Sequence, residues 1–312
     1  MTTDWLRASV ARDNRRTPGT TLVDSHVHGP PDVLPERFLD VALSNFRGAR
    51  RARGAGAYAT DEPPVGCLCL ADIAGGAAQL NPFRDLVGRS CGRWSLAETA
   101  EPCSLIARRG AADTMILIGG RQLVTSERLE VLALGTIARL QDGLPAHATV
   151  AAANAVGAVT VLPWGFGKWW LRRGRIAARL ITSVRRGDLI LGDSRQRPLG
   201  VPRSRILRLA DREGILILPG SDSSPWPDSM VVAGSYGAVL DGLLSLETPA
   251  AALKARLLGL GRQPVTFGRR IGLGAFLRHE LRARSRRRTG SSRIALRHRA
   301  ATRGPAEPDA MG

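Results

Sequence analysis

Aromatic side chains are scarce, with six Trp, two Tyr and six Phe in 312 residues. Any core must therefore be filled by Leu, Ile, Val and Ala. Lysine is almost absent: Lys168 and Lys254 stand among 45 basic residues, so nearly all positive charge is guanidinium. Cysteine is confined to Cys67, Cys69, Cys91 and Cys103. No two of these form a Cys-x-x-Cys pair, which argues against a zinc or redox role, and a chain of this size needs no disulfide staples. Cys67 and Cys69 alternate with Leu68 and Leu70, which puts both thiols on one face of a strand and predicts that they are buried. No apolar run approaches the roughly 20 residues that span a bilayer. The first twenty residues are charged and lack the apolar stretch of a secretory signal. The expectation is a cytoplasmic protein with no membrane span.

Hydrophobic residues make up 44% of the chain, enough for a real core, which excludes wholesale disorder. The net charge of +18 invites a nucleic-acid reading. Its distribution tempers that. Between Arg269 and Arg303 twelve arginines face one acid, Glu280, so more than half of the excess sits in a C-terminal stretch. Such a tail can hold RNA, DNA or an anionic membrane surface, but a solvated arginine-rich extension is the favoured reading. Order is expected to fade from Arg284 onward.

Short, continuously apolar runs recur at 20–27, 65–71, 114–118, 129–134, 158–162, 188–191 and 215–218. Each has the length and pattern of a strand buried on both faces. Helices are predicted over 36–46, 146–156, 169–186 and 204–213, with a further helical, apolar segment from 248 to 260. Gly157, Gly187 and Gly214 end three of them at helix C-caps and lead into strands. That rhythm predicts an α/β fold with parallel strands in a closed or nearly closed barrel; a doubly wound open sheet is the rival. Residues 48–64 are Arg-, Gly- and Ala-rich and read as an exposed loop. The organisation expected is an N-terminal extension over 1–19, a barrel over 20–268 and a basic tail over 269–312.

Histidine is also rare, and two of five sit one residue apart, His26 and His28, at the end of the first strand. Residues i and i+2 of a strand share a face, so both imidazoles can chelate one divalent metal. Asp24 should point the same way and orient a ring or bind directly. Asp222, in Leu218-Pro219-Gly220-Ser221-Asp222 after the last strand, can complete the metal shell or take a proton from water. Pro-Gly-Ser-Asp is also turn chemistry in its own right. Lys168 lies in Trp164-Gly165-Phe166-Gly167-Lys168-Trp169-Trp170, where aromatic rings can floor a pocket and the ammonium can grip an anion. Arg121 and Gln122 follow the third strand, and Asp193, Ser194 and Arg195 the sixth. In a barrel all of these would face the mouth that holds His26 and His28. Arginine there suits a carboxylate or phosphate. His147 is expected to be structural or exposed, and His279 and His298 solvated.

Leu22-Val23-Asp24-Ser25-His26-Val27-His28 resembles the opening motif of metal-dependent hydrolases, both the amidohydrolases and the PHP (polymerase and histidinol phosphatase) superfamily. Gly220-Ser221-Asp222 resembles the late Gly-Ser-Asp motif of PHP proteins. Ile118-Gly119-Gly120-Arg121-Gln122 with Leu129-Glu130-Val131-Leu132 is similar to a PHP strand and hairpin, and Val161-Leu162-Pro163-Trp164 to the segment that usually ends in a His-Pro ligand. The resemblance covers roughly residues 20 to 225 and implies a distorted seven-stranded, TIM-like (β/α) barrel. The departures are specific. Gln122 stands where the family tends to carry a metal-binding Glu, Glu130 where it tends to carry a His, Trp164 near an expected His, and Ser223-Ser224 in place of a following His. The family's enzymes usually hold two or three metals; this chain keeps ligands for one at most.

The leading expectation is a metal-dependent hydrolase. His26, His28 and Asp222 would hold a divalent ion (Zn, Mn or Mg), Asp222 or Glu130 would accept a proton from water, and Lys168, Arg121 or Arg195 would hold a small anionic substrate, such as a phosphate ester. The alternatives are a catalytically degenerate barrel that binds or scaffolds, and a nucleic-acid-associated protein acting through its tail.

Overall fold

The computed structural model describes residues 19–29, 33–53, 65–73, 79–223, 231–278 and 281. The arginine-rich tail beyond residue 281, His279, His298 and most of the expected N-terminal extension lie outside them, as do residues 54–64 of the expected loop. Two compact units divide the chain, a large one within Met1–Arg197 and Val201–Arg270 and a small one within Pro198–Gly200 and Ile271–Gly312. In the small unit the backbone N–H of Leu199 donates to Ile271 O at 2.8 Å.

The large unit is a mixed α/β fold built on one continuous sheet that curls into a nearly closed barrel. Its strands are β1 (Thr20–Val27), β2 (Val65–Asp72), β3 (Ser95–Glu98), β4 (Ser104–Arg109), β5 (Asp113–Val124), β6 (Glu130–Leu134), β7 (Val159–Pro163), β8 (Ile190–Ser194), β9 (Ile217–Gly220), β10 (Tyr236–Asp241) and β11 (Val265–Gly268). The main path runs β11-β10-β1-β2-β5-β6-β7-β8-β9, and β4 carries β3 as a side branch from β5. The seven apolar runs of the sequence all appear as strands. The arrangement is less regular than a run of parallel βα units, because β5 pairs antiparallel with both β4 and β6, and β6 antiparallel with β7. β10 joins β1 antiparallel on the side away from β2. The barrel closes where the end of β9 meets β1: Ser25 Oγ donates to Pro219 O at 3.0 Å, and the backbone N–H of Asp222 to His26 O at 2.8 Å. Gly220 makes that approach fit, because a Cβ there would lie 2.7 Å from the Cβ and backbone N of His26.

Strand alternation splits the apolar residues into layers. Val23, Cys67, Ile116, Leu132, Val161, Ile190 and Leu218 turn into one core inside the curled sheet. Cys67 and Cys69 are both there, as buried free thiols. Leu22, Leu68, Leu117 and Met115 turn outward under helix α1 (Pro35–Arg53). Helices α3 (Ala146–Ala155), α4 (Leu171–Ser183) and α5 (Arg205–Arg212) cover the outer face of β6 to β9. Each fully buried Leu, Val or Phe contributes roughly 1.5–3 kcal/mol. A short helix α2 (Asn81–Arg84) and helix α6 (Pro249–Leu258) complete the set.

Helix α1 corrects one expectation, since it runs through Arg53 where a loop was expected from residue 48. Ala49 continues the buried stripe of Phe38, Leu39, Ala42 and Phe46, and Arg47 pairs with Asp113 at 2.8 Å. Those contacts outweigh the roughly 1 kcal/mol cost of Gly48 inside a helix.

Candidate metal centre

Strand β1 does not run regularly into its histidines. Its parallel register with β2 holds from Thr21 to Asp24 and then shifts before Val27 pairs with Leu70. A bulge of this kind moves the alternation by one residue. Val27 thus shares the outer core with Leu22, while His26 and His28 turn to the inner side. Strict alternation from inward-facing Val23 would have sent both imidazoles outward. The bulge also separates Asp24 from them, so that it neither binds with them nor orients their rings. Its Oδ1 accepts from the backbone N–H of Ser221 at 2.7 Å and of His26 at 3.4 Å, and its Oδ2 from that of Gly234 at 2.8 Å. Asp24 thereby ties β1 to the segment after β9. Burial pushes its carboxyl up to about 7, against the pull of these donors.

His26 and His28 are both buried, and their Nε2 atoms stand 3.0 Å apart. Gln122 Oε1, from β5, lies 3.3 Å from His26 Nε2. Asp222 Oδ1 lies 3.7 Å from His26 Nδ1. Ligand atoms of His26, His28 and Asp222 all fall within 4.8 Å of one another, so the group can hold a metal ion. The donor set fits a divalent cation. Two nitrogens bound at about 2.1 Å to one tetrahedral ion would stand about 3.4 Å apart, so the imidazoles would need to part only slightly to take one. His28 Nδ1 is 2.7 Å from Ala71 O, a carbonyl that can only accept. The proton of a neutral His28 is therefore on Nδ1, and its Nε2 lone pair faces the centre.

Supporting contacts hold this geometry. Ser223 Oγ accepts from the backbone N–H of His28 at 2.9 Å and donates to His28 O at 3.1 Å. Ser194 Oγ, at the end of β8, donates to Asp222 Oδ2 at 2.9 Å. Asp222 sits at φ 52, a left-handed conformation that Asp tolerates better than most residues, and its backbone N–H holds on to His26 O. Burial raises the Asp222 carboxyl, but His26, His28, Lys168 and the Ser194 hydroxyl together outweigh it and leave its pKa below the ordinary value. Burial lowers His28 to about 4, with His26 adding to the effect.

The remaining site candidates separate. Lys168 forms an ion pair with Glu130 and is close enough to act electrostatically on both His28 and Asp222. Glu130 is thus engaged by a lysine. Arg195 donates its backbone N–H to Gly220 O at 3.0 Å, and burial lowers the pKa of its guanidinium. Arg121 projects from the opposite face of β5 to Gln122, as neighbours in a strand must. It lines a separate cavity with Asp72, Arg84 and Arg139 and does not face the shared mouth. Asp193 is turned away too. It makes a buried bidentate pair with Arg197, both bonds 2.7 Å, and accepts from the Tyr236 hydroxyl at 3.1 Å. His147 is exposed on α3. Gln122 and Ser223, marked in the sequence by the ligands they replace, supply contacts at the centre. The Ala71 carbonyl left no trace in residue type.

No family model matches this chain, and no curated protein matches it. Among solved structures, the crystal structure of PsfC from Pseudomonas syringae PB-5123 is similar with a TM-score of 0.46 at 12% identity, over 87% of this chain and 99% of that one.

Proposed function

We propose that the protein is a metal-dependent hydrolase that holds one divalent ion (zinc, manganese or magnesium) between His26, His28 and Asp222 and acts on a small anionic substrate such as a phosphate ester. The observation that carries this reading is the convergence of those three side chains within 4.8 Å, with the His28 tautomer set by Ala71 O. The resemblance of Leu22–His28 and Gly220–Asp222 to PHP and amidohydrolase motifs supports it. The seven strands from β1 round to β9 suit the distorted barrel which that resemblance implies.

A divalent ion in this position supplies Lewis acidity and brings the pKa of water toward neutrality. The chain's own groups do the rest. His28 and His26 offer lone pairs, and Gln122 adds a neutral oxygen beside them. Asp222 remains ionised and is steadied by Ser194, which makes it the proton acceptor closest to the centre. Glu130 can serve only once its pair with Lys168 opens. An incoming anion competes for Lys168, which acts on both His28 and Asp222, and so couples substrate entry to that opening. Arg121 has no part in this scheme because it faces the other side of β5.

The test is elemental analysis of the purified chain, followed by turnover of p-nitrophenyl phosphate with added Zn, Mn or Mg. About one equivalent of metal is expected, with turnover lost in both His26→Ala and Asp222→Asn. A protein that carries no metal, and whose stability and activity do not respond to His26→Ala under added metal, overturns the reading. A second reading is a degenerate barrel that binds without turnover. The His26–His28–Gln122 contacts favour it, since a single proton on His26 Nε2 can be shared by His28 Nε2 and Gln122 Oε1 without an ion.

A further inference from the structure

Helix α4 carries Arg172, Arg175 and Arg179, and helix α5 carries Arg205, Arg208 and Arg212. Both sets follow the spacing i, i+3, i+7, which lines each up along one side of its helix. The buried residues Ala177, Leu180 and Ile181 of α4, and Ile206, Leu207 and Ala210 of α5, lie on the opposite sides. All six arginines are exposed. The two helices pack against each other, with axes roughly 8–10 Å apart as packed helices have, so the two arginine rows lie on neighbouring helices. None of the six pairs with an acid among the described residues. Asp211, the acid within α5, is taken by Arg203.

An apolar tip adjoins the rows at the start of α4. Leu171 is 90% exposed and Trp170 61% exposed, and Phe166 stands edge-on to Trp170 with ring centroids 5.1 Å apart. Leu171 also has φ 53, a conformation that is an outlier for a bulky side chain. The backbone therefore spends strain to keep an aliphatic group in water, beside a tryptophan, at the end of a basic face. Single exposed apolar residues need no explanation, but a cluster rimmed by charge does.

We propose that this face docks on an anionic lipid bilayer. The arginine rows meet the headgroups, and Trp170 and Leu171 enter the interfacial layer. Charge complementarity alone would suit any polyanion. The tip decides the occupant: a bilayer buries an aliphatic side chain and seats a tryptophan at its interface, whereas a nucleic acid offers Leu171 no apolar layer. A basic patch and an apolar insertion are two signals, and together they hold a protein on a membrane where either alone is marginal. The proposal stands independently of the metal centre. Both meet only in the connection from β7 to α4, which carries Lys168 as well as the tip.

The experiment is sedimentation of the full chain with vesicles of phosphatidylserine and phosphatidylcholine, against vesicles of phosphatidylcholine alone. Binding is expected only to the anionic vesicles. The triple variant Arg172→Gln, Arg175→Gln, Arg179→Gln should bind on the order of a hundredfold more weakly, and the matching Arg→Lys triple should bind like the parent. Trp170→Ser with Leu171→Ser should lose roughly tenfold and should abolish the part of the tryptophan quenching by brominated acyl chains that Trp170 supplies. Thermal melting of each variant checks that the fold is kept. Vesicle binding that ignores the Gln triple overturns the proposal and assigns it to the C-terminal arginines. Arginine rows that are required for duplex DNA or RNA, with no binding to anionic vesicles, overturn it in favour of nucleic acid.

Discussion

His26 and His28 face each other Nε2 to Nε2 at 3.0 Å, and the outer nitrogen of His28 is held by the Ala71 carbonyl at 2.7 Å. That pairing leaves one lone pair of known direction in a buried centre. It also makes the neighbouring Gln122 the natural place to alter the charge of the site.

Gln122→Glu should therefore tighten divalent-metal binding. The amide oxygen 3.3 Å from His26 Nε2 would become a carboxylate at the same distance. One added negative charge raises affinity by roughly tenfold or more, as read by calorimetric titration with zinc or manganese. Without metal the same variant should be less stable, because the introduced carboxylate and Asp222 then repel across the centre. An affinity that does not change would show that Gln122 lies outside the metal's reach.

Ser194→Ala should weaken metal binding without unfolding the protein. It removes the hydroxyl that donates to Asp222 Oδ2 at 2.9 Å and leaves the main-chain path of β8 intact. Loss of such an orienting partner costs on the order of 10–100-fold in affinity. The control is the melting temperature with metal removed, which should move by only a few degrees.

How much of this was legible beforehand is clearest at β1. The residue types of the site were readable, because two histidines among five lie at one strand end and Asp222 follows the last strand of the ring. Alternation puts both histidines on one face but on the outer one; the bulge between Asp24 and Val27 turns that face inward. A bulge is set by backbone pairing with β2, not by residue type, and Asp24 was misplaced for the same reason. Strand β3 was invisible because an edge strand with one buried residue in four carries almost no periodic signal. Lys168 and Glu130 were each singled out, but not as partners, because they meet only once β6 and β7 lie side by side.

Between about pH 4 and 7 two buried groups of the metal-free protein act in opposite directions: His28 favours unfolding as the pH falls, and Asp24, raised to about 7, favours folding. Burial and His26 hold His28 at about 4 in the folded chain, below its ordinary 6.5. Within that window the unfolded chain protonates His28 and the folded chain does not, so the His28 contribution to stability rises with pH, while the Asp24 contribution falls with pH from about 3.8 to 7. Asp222 acts lower down: its depressed pKa contributes stability above the ordinary 3.8 that is lost as the pH falls through the folded value. Urea unfolding from pH 7 to 4.5 checks the first effect. His28→Gln should leave the Asp24 contribution alone, so that its stability falls more steeply with rising pH than the parent's; a slope equal to the parent's would show that His28 is not buried in its neutral form.

Asp24→Asn sets the loss of one acceptor, about 1–3 kcal/mol, against removal of a charge that burial opposes, and should abolish the fall in stability that the raised Asp24 pKa causes as the pH rises from about 3.8 to 7. The two carboxylate oxygens serve the N–H groups of Ser221 and Gly234 on separate sides, at 2.7 and 2.8 Å. An amide keeps only one acceptor, so one of those donors would face an NH2 group and lose its bond. Urea unfolding at about pH 5 and pH 7.5 reads this: the variant should gain on the parent between the two, and an unchanged difference would show that burial does not raise Asp24.

The Asp193–Arg197 pair offers the sharpest separation of stability from function. Both partners are buried, and the carboxylate is saturated by the guanidinium, by the Tyr236 hydroxyl and by the backbone N–H of Ser194. Removing one charge leaves the other uncompensated in a poorly solvated place. Arg197→Met alone should cost about 3–5 kcal/mol. Adding Asp193→Asn to that variant should recover a large part of the loss, since the orphaned charge disappears while Tyr236 retains an acceptor. A double-mutant cycle by chemical denaturation measures the coupling. Additive losses would mean that each residue contributes through packing and that their ionic contact matters little. The strand that carries Asp193 continues into Ser194, so the single variant should also weaken metal binding, whereas the double variant should restore it along with the fold.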